Sequence, residues 1–287
     1  MAPYDFQAPD ADVILRSSDG KDFRVHKVIL GLASPVFQGM FSLPQPTGPE
    51  PHRIPIVAIP ETSDLLSPLI QYIYPFSPPN VPDVAMWADL YTIADKYNVG
   101  VVMELLRGIL IPRFLETSPF RIYALASHWG LDEEAKIASK RTLSFDILEE
   151  FSREDAKLMD GPACQKLYRL HIRCREEASA VVESYRYVFE GHLNSGCRPL
   201  DPGTVGRVLT QRVSVKPWFS AEELYEEITQ SCNLCECPSG CCQDFGNLHT
   251  WFSSILEELH ELEESIVQEV RLYILSSKFT GRYLNIL

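Results

Sequence analysis

The chain has 287 residues, 45% hydrophobic and 23% charged, the proportions of an ordinary folded protein, which excludes disorder, collagen and a disulfide-dense miniprotein. At ~150 residues per domain this is material for roughly two domains, or one with a helical extension. Lys and Arg number 26 against 39 Asp and Glu, a formal net charge of −13; such a surface repels phosphate backbones and anionic lipid, so nucleic acid and membrane are not expected partners.

The acid is uneven: residues 1–112 carry 7 basic and 12 acidic side chains, 113–200 carry 13 and 14, and 201–287 carry 6 and 13. No apolar run reaches the ~18–20 residues of a membrane span, and MAPYDFQAPD lacks the basic and apolar regions of a signal peptide. The expectation is an intracellular protein, in cytoplasm or nucleus. Eight cysteines are too sparse for a secreted scaffold, yet five of them fall within residues 232–242.

Residues 1–8 are expected to be a flexible N-terminus. Ala11-Asp12-Val13-Ile14-Leu15 and Asp22-Phe23-Arg24-Val25, separated by the turn-prone Ser17-Ser18-Asp19-Gly20, predict a hairpin. Two short helices follow, over 26–33 and from Ser34, which is placed to cap the second with Pro35 in the first helical position. Leu43 to Pro55 holds five prolines and reads as an exposed loop. A strand is predicted at Ile54–Ile59, then three helices marked by Leu65, Leu66, Leu69, Ile70 and Ile73, by Val84, Trp87, Leu90, Tyr91 and Ala94, and by Val101, Val102, Leu105, Leu106 and Ile109. The aromatic residues Phe37, Phe41, Tyr72, Trp87 and Tyr91 read as core rather than as a peptide groove.

These residues resemble the BTB/POZ family. Asp12-Val13, Phe23-Arg24-Val25-His26-Lys27, Leu30, Ser34-Pro35-Val36-Phe37 and Met40-Phe41 are similar to its opening; Ile54-Pro55-Ile56, Tyr72-Ile73-Tyr74 and Ala94-Asp95-Lys96-Tyr97 are similar to its second half. The resemblance covers residues 9–112, and the long proline-rich loop and Tyr74-Pro75 resemble fungal members in particular. It implies an α+β fold, a small sheet with helical hairpins, followed here by an all-α C-terminal domain. It further implies a non-catalytic interaction module whose partners are a second copy of itself, a cullin-type ubiquitin-ligase scaffold or a transcriptional corepressor. Carried over by position, Asp12, His26, Lys27 and Phe37 mark the partner or dimer surface, with Asp12 and Lys27 as a charged pair. Two departures matter: eleven residues before Asp12 are few for an exchanged N-terminal strand, and Ser42–Arg53 offers only Leu43-Pro44-Gln45 and Gly48-Pro49-Glu50 where cullin binders carry an apolar-x-Glu motif.

Ser118-Pro119 begins a helix with Ile122, Tyr123, Leu125 and Ala126 apolar; Trp129-Gly130 breaks it before a second helix over Glu133–Arg141. This hairpin, within 113–160, is similar to the BACK region that follows many BTB domains. In 161–287 a long helix is predicted from Leu167, Leu170, Cys174, Ala178, Val181, Tyr185 and Val188, and another from Trp251, Ile255, Leu259, Leu262, Ile266, Val270 and Tyr273, the two packing antiparallel. An acidic helix is expected at Ala221–Thr229.

The Cys-rich loop 231–249 carries the one local pattern of site chemistry. Cys232 and Cys235 have the C-x₂-C spacing of a zinc knuckle, and Cys241 or Cys242 with His249, or Cys237 with Cys241, would complete four ligands at about 2.0–2.3 Å. The spacing does not choose among these. A loop of free thiols and a redox switch are the competing readings, so structural zinc is the only cofactor the chain suggests. No Gly-x-Ser-x-Gly elbow, phosphate-binding Gly-rich loop, Rossmann fingerprint or His-Glu-x-x-His is present, and His260-Glu261 lacks the second histidine, so no enzyme is expected.

Overall fold

The computed structural model describes residues 6–43, 54–184 and 202–215, with single positions at 254, 257 and 261. It divides into two units after Ser118.

In the first unit, β1 (Val13–Arg16) and β2 (Asp22–Val25) pair antiparallel with Val13 opposite Val25 and Arg16 opposite Asp22. The turn closes because Gly20 takes φ 85°, a conformation that costs a residue without Cβ little, while Gly20 N–H donates to the Ser17 carbonyl at 2.9 Å. Arg16 locks the open face of the hairpin with two bonds to Asp22, at 2.6 and 2.8 Å. Val13, Leu15, Phe23 and Val25 alternate inward and are buried. β3 (Ile56–Ala58) joins the far side of β1 in parallel, giving the order β2-β1-β3. It is shorter than the predicted Ile54–Ile59, although the Pro55 carbonyl and the Ile59 N–H still bond to Ile14 and Arg16 at 2.9 and 2.7 Å.

Five helices complete this unit: α1 (Lys27–Ala33), α2 (Pro35–Ser42), α3 (Ser63–Ile73), α4 (Val84–Lys96) and α5 (Gly100–Phe114). Ser34 caps α2 as its sequence predicts, accepting from Phe37 N–H at 3.0 Å, with Pro35 at the helix start. Asp83 caps α4 through Met86 N–H at 2.8 Å. α3 borrows its cap from the hairpin turn: the Asp19 carboxylate accepts from Ser63 N–H at 2.8 Å and from Ser63 Oγ–H at 2.6 Å. Those bonds hold the Asp19 carboxyl down at about 2. The core centres on Trp87, whose indole donates to the Leu106 carbonyl at 2.7 Å and so ties α4 to α5.

The second unit holds α6 (Pro119–His128), α7 (Asp132–Thr142), α8 (Ile147–Glu150), α9 (Arg153–Leu158), α10 (Gly161–Ser184) and α11 (Pro202–Val215). Gly130, at φ 68°, makes the turn between α6 and α7, where the sequence breaks the helix. Leu167, Leu170, Cys174, Ala178 and Val181 are all buried along α10. α11 packs on α10; Asp201-Pro202 has the composition of a helix start, whereas Gly203 and Gly206 disfavour a helix interior. The predicted helix at 221–229 lies outside the described residues, as do Tyr185 and Val188; of the predicted helix at 251–273 only positions 254, 257 and 261 are described, and they are helical. Among the described residues no helix is long and apolar enough to cross a membrane.

Candidate protein-interaction surface

The geometry of α1 and α2 begins at Asp12. Its carboxylate is exposed and accepts from the Lys27 backbone N–H at 2.8 Å, placing a negative charge on the start of α1, where unpaired N–H groups favour one. This corrects the expected Asp12–Lys27 charge pair: the aspartate bonds the peptide of Lys27 rather than its ammonium, and it faces outward. His26, the residue before the helix, is half-buried. Its N–H donates to the Tyr74 hydroxyl at 2.8 Å, its Nδ1 lies 3.1 Å from the same hydroxyl, and its Nε2 lies 3.3 Å from Asp10. Phe37 is fully buried, stacked on Tyr97 with ring centres 4.7 Å apart. It therefore belongs to the core and supports the surface from beneath.

Tyr97 anchors the pair. Its carbonyl accepts from Ser34 Oγ–H at 2.5 Å, and its hydroxyl donates to Glu61 at 2.6 Å, with Lys96 completing the group on the same carboxylate. Burial and the neighbouring Glu61 charge push the Tyr97 phenol up, so it stays a donor at physiological pH. The helices thus stand on a fixed base while their outer side stays apolar. Leu32 is 86%, Val28 64% and Leu43 63% exposed, and Val36 is exposed too. Val28 and Leu32 share one face of α1, and Val36, Met40 and Leu43 share one line along α2. Lys27 is the one charged residue between positions 27 and 43. Sequence reading missed this face because α1 is apolar on both sides, and periodicity marks a core face only when the other side is polar.

A second feature is the segment before β1. Phe6 is 4% exposed, against Phe23, Tyr74 and Phe76 at 5.9, 5.9 and 6.2 Å between ring centres. Gln7 pairs in parallel with Arg24 at the free edge of β2; Arg24 N–H donates to the Phe6 carbonyl at 2.9 Å, and its guanidinium Nε–H donates to the Ala8 carbonyl at 3.2 Å. Residues 6–8 are thus bound to the sheet, where the sequence predicts a flexible terminus. Burying Phe6 contributes roughly 2–3 kcal/mol and each of these two bonds about 1 kcal/mol.

In the second unit, His171 is buried with its Nε2 3.0 Å from Thr142 Oγ, which itself donates to the Ser139 carbonyl at 2.6 Å. Nε2 therefore carries the proton in that bond. Burial, then the Arg175 charge, pushes the imidazole down to about 3, so it is neutral at pH 7. Arg175 donates to the Val215 carbonyl at 3.0 Å, tying α10 to the end of α11. Among the described residues no group of three or more His, Cys, Asp or Glu is placed to hold a metal. Cys232, Cys235, Cys241 and His249 lie outside those residues.

A three-stranded mixed sheet flanked by short helical pairs, with an apolar outer face on α1 and α2, is the build of an interaction domain. Residues 6–112 match the model of the BTB/POZ domain family. The first unit is accordingly a BTB domain, a class that mediates protein–protein interaction and oligomerisation, and helices follow it. No curated protein matches the chain.

Proposed function

We propose that the protein is a non-catalytic adaptor that pairs with a second copy of itself through the α1–α2 face. The observation that carries this is a charge-depleted, apolar outer surface on helices that are capped and pinned from beneath. Covering Leu32, Val28 and Leu43 stabilises a complex by roughly 1.5–3 kcal/mol each, a sum within the 4–15 kcal/mol that association costs. Neighbouring contacts must supply the surplus, so the pairing is of moderate strength. The helices beyond residue 118 would then be presented in two copies, to a cullin-type scaffold or a transcriptional regulator. Sedimentation equilibrium of the full chain tests it: a dimer for the native protein and a monomer for Leu32→Glu are expected, and a native monomer throughout the micromolar range contradicts it.

The spacing of Cys232 and Cys235 supports a second reading, a zinc or redox centre for which the BTB domain serves only to oligomerise. Its measurement is the zinc content of reduced protein purified without added metal. About one equivalent, lost in Cys235→Ser, supports it, and less than ~0.3 equivalents removes it.

A further inference from the structure

Serine followed by proline occurs in the chain at Ser34, Ser67, Ser77 and Ser118, and threonine followed by proline does not occur. Three of these steps serve the fold itself. Ser34 is buried, caps α2 and donates to the Tyr97 carbonyl. Ser67 and Pro68 are buried inside α3. Ser118 is half-buried directly ahead of α6, whose first residue, Pro119, is buried. Ser77 differs in each respect. It is exposed, residues 77–82 belong to no helix or strand, and its hydroxyl has no hydrogen bond among the described residues.

The loop that carries Ser77 is held in place from both sides. Gln71 of α3 donates to the Ser77 carbonyl at 2.7 Å, Arg113 of α5 donates to the Asn80 side-chain carbonyl at 2.7 Å, and Val81 is fully buried. Phe76 is half-buried and stacks on Tyr74 with ring centres 5.5 Å apart, while Pro75, Ser77 and Pro78 around it are exposed. Pro78 and Pro79 fix their own φ, and a residue before proline is kept out of the helical region, so Ser77 stands extended. Protein kinases take their acceptor stretch in extended form. Proline-directed kinases want proline directly after the acceptor, because their pocket there offers nothing to a backbone N–H, and the mitogen-activated type also favours proline two residues before it. Of the four serines Ser77 has that second proline, Pro75; the others have Leu32, Leu65 and Glu116 in its place.

We propose that Ser77 is a phosphorylation site for a proline-directed kinase of the mitogen-activated type. ATP is the co-substrate. The Ser77 Oγ attacks the γ-phosphorus, the bond from that phosphorus to the β,γ-bridging oxygen breaks, ADP leaves, and the hydroxyl proton passes to the catalytic carboxylate of the kinase. Residues 75–82 carry no charge, so the product has about 1.5–2 negative charges and three acceptor oxygens on a loop that was neutral. Neither the site nor its test depends on self-association through the α1–α2 face.

The test incubates the full-length protein with a purified, active mitogen-activated-type kinase and ATP, beside a synthetic peptide of residues 72–83, and locates phosphate by mass spectrometry. In the folded chain Ser77 is expected to carry at least tenfold more phosphate than Ser34, Ser67 or Ser118, at a rate within about tenfold of the peptide's. Ser77→Ala, checked for native circular dichroism, is expected to lower incorporation at least tenfold, and Pro78→Ala, which keeps the hydroxyl, to lower it as much. A modified peptide beside an unmodified folded chain overturns the proposal, since the loop is then closed to the kinase. A peptide that the kinase leaves unmodified overturns it too, as does phosphate on Ser34, Ser67 or Ser118 of the folded chain equal to that on Ser77. Undiminished incorporation in Pro78→Ala overturns the assignment to a proline-directed kinase.

Discussion

Two helix pairs of the BTB domain use apolar residues in opposite ways. α4 and α5 send Trp87, Leu90, Tyr91, Val102, Leu106 and Leu110 into the core and carry Asp89, Asp95, Lys96 and Glu104 on their outer sides. α1 and α2 bury only Leu30 and Phe37 and leave Val28, Leu32, Val36 and Leu43 outside. The first pair spends most of its apolar residues on its own fold and leaves only Val101 and Leu105 of α5 outside among charged neighbours. The second is apolar beyond what the unit's core consumes, and that excess is what an interface core needs.

The contrast orders the expected effects. Trp87→Ala removes a buried ring and its bond to the Leu106 carbonyl and should destabilise the BTB domain by about 3–5 kcal/mol in urea unfolding. Next comes a pH effect that belongs to the other unit. With His171 held down at about 3, folded protein stays unprotonated there while unfolded chain takes up a proton below pH ~6.5. Stability is full above that value and falls as pH drops toward 3, by about 2 kcal/mol at pH 5. Paired urea melts at pH 7 and 5 should show the loss, and His171→Phe should flatten the difference. Asp12→Ala deletes one helix-start bond at the exposed carboxylate and should cost about 1 kcal/mol. Leu32→Glu should leave the urea midpoint nearly unchanged at protein concentrations where the native chain is monomeric, since within one copy the side chain rests on nothing that folding buries. It should lower the midpoint only where the native chain is dimeric.

The parts of this fold that sequence made legible are local. Ser17-Ser18-Asp19-Gly20 announces its turn, and Ser34-Pro35 and Trp129-Gly130 mark helix boundaries, because caps and φ preferences act over a few residues. What was not legible depends on distant partners. Asp12 suggested an ammonium and found a peptide N–H, a distinction of fractions of an ångström that spacing does not encode. Residues 6–8 are too few for any period, and their binding depends on Tyr74 and Phe76, far along the chain. α11 forms across Gly203 and Gly206 because packing on α10 outweighs their low propensity. The surface on α1 and α2 was hidden for a further reason: sequence reports how apolar a helix is, and only the fold reveals which side stays uncovered.

The central claim is that the face of Val28, Leu32, Val36 and Leu43 is where a second copy sits. Its most direct measurement is sedimentation equilibrium of the native chain beside Leu32→Glu, the two having the same urea midpoint where the native chain is dilute enough to be monomeric. A native dimer that Leu32→Glu turns into a folded monomer is expected. A mass unchanged by Leu32→Glu, whether monomer or dimer, contradicts it.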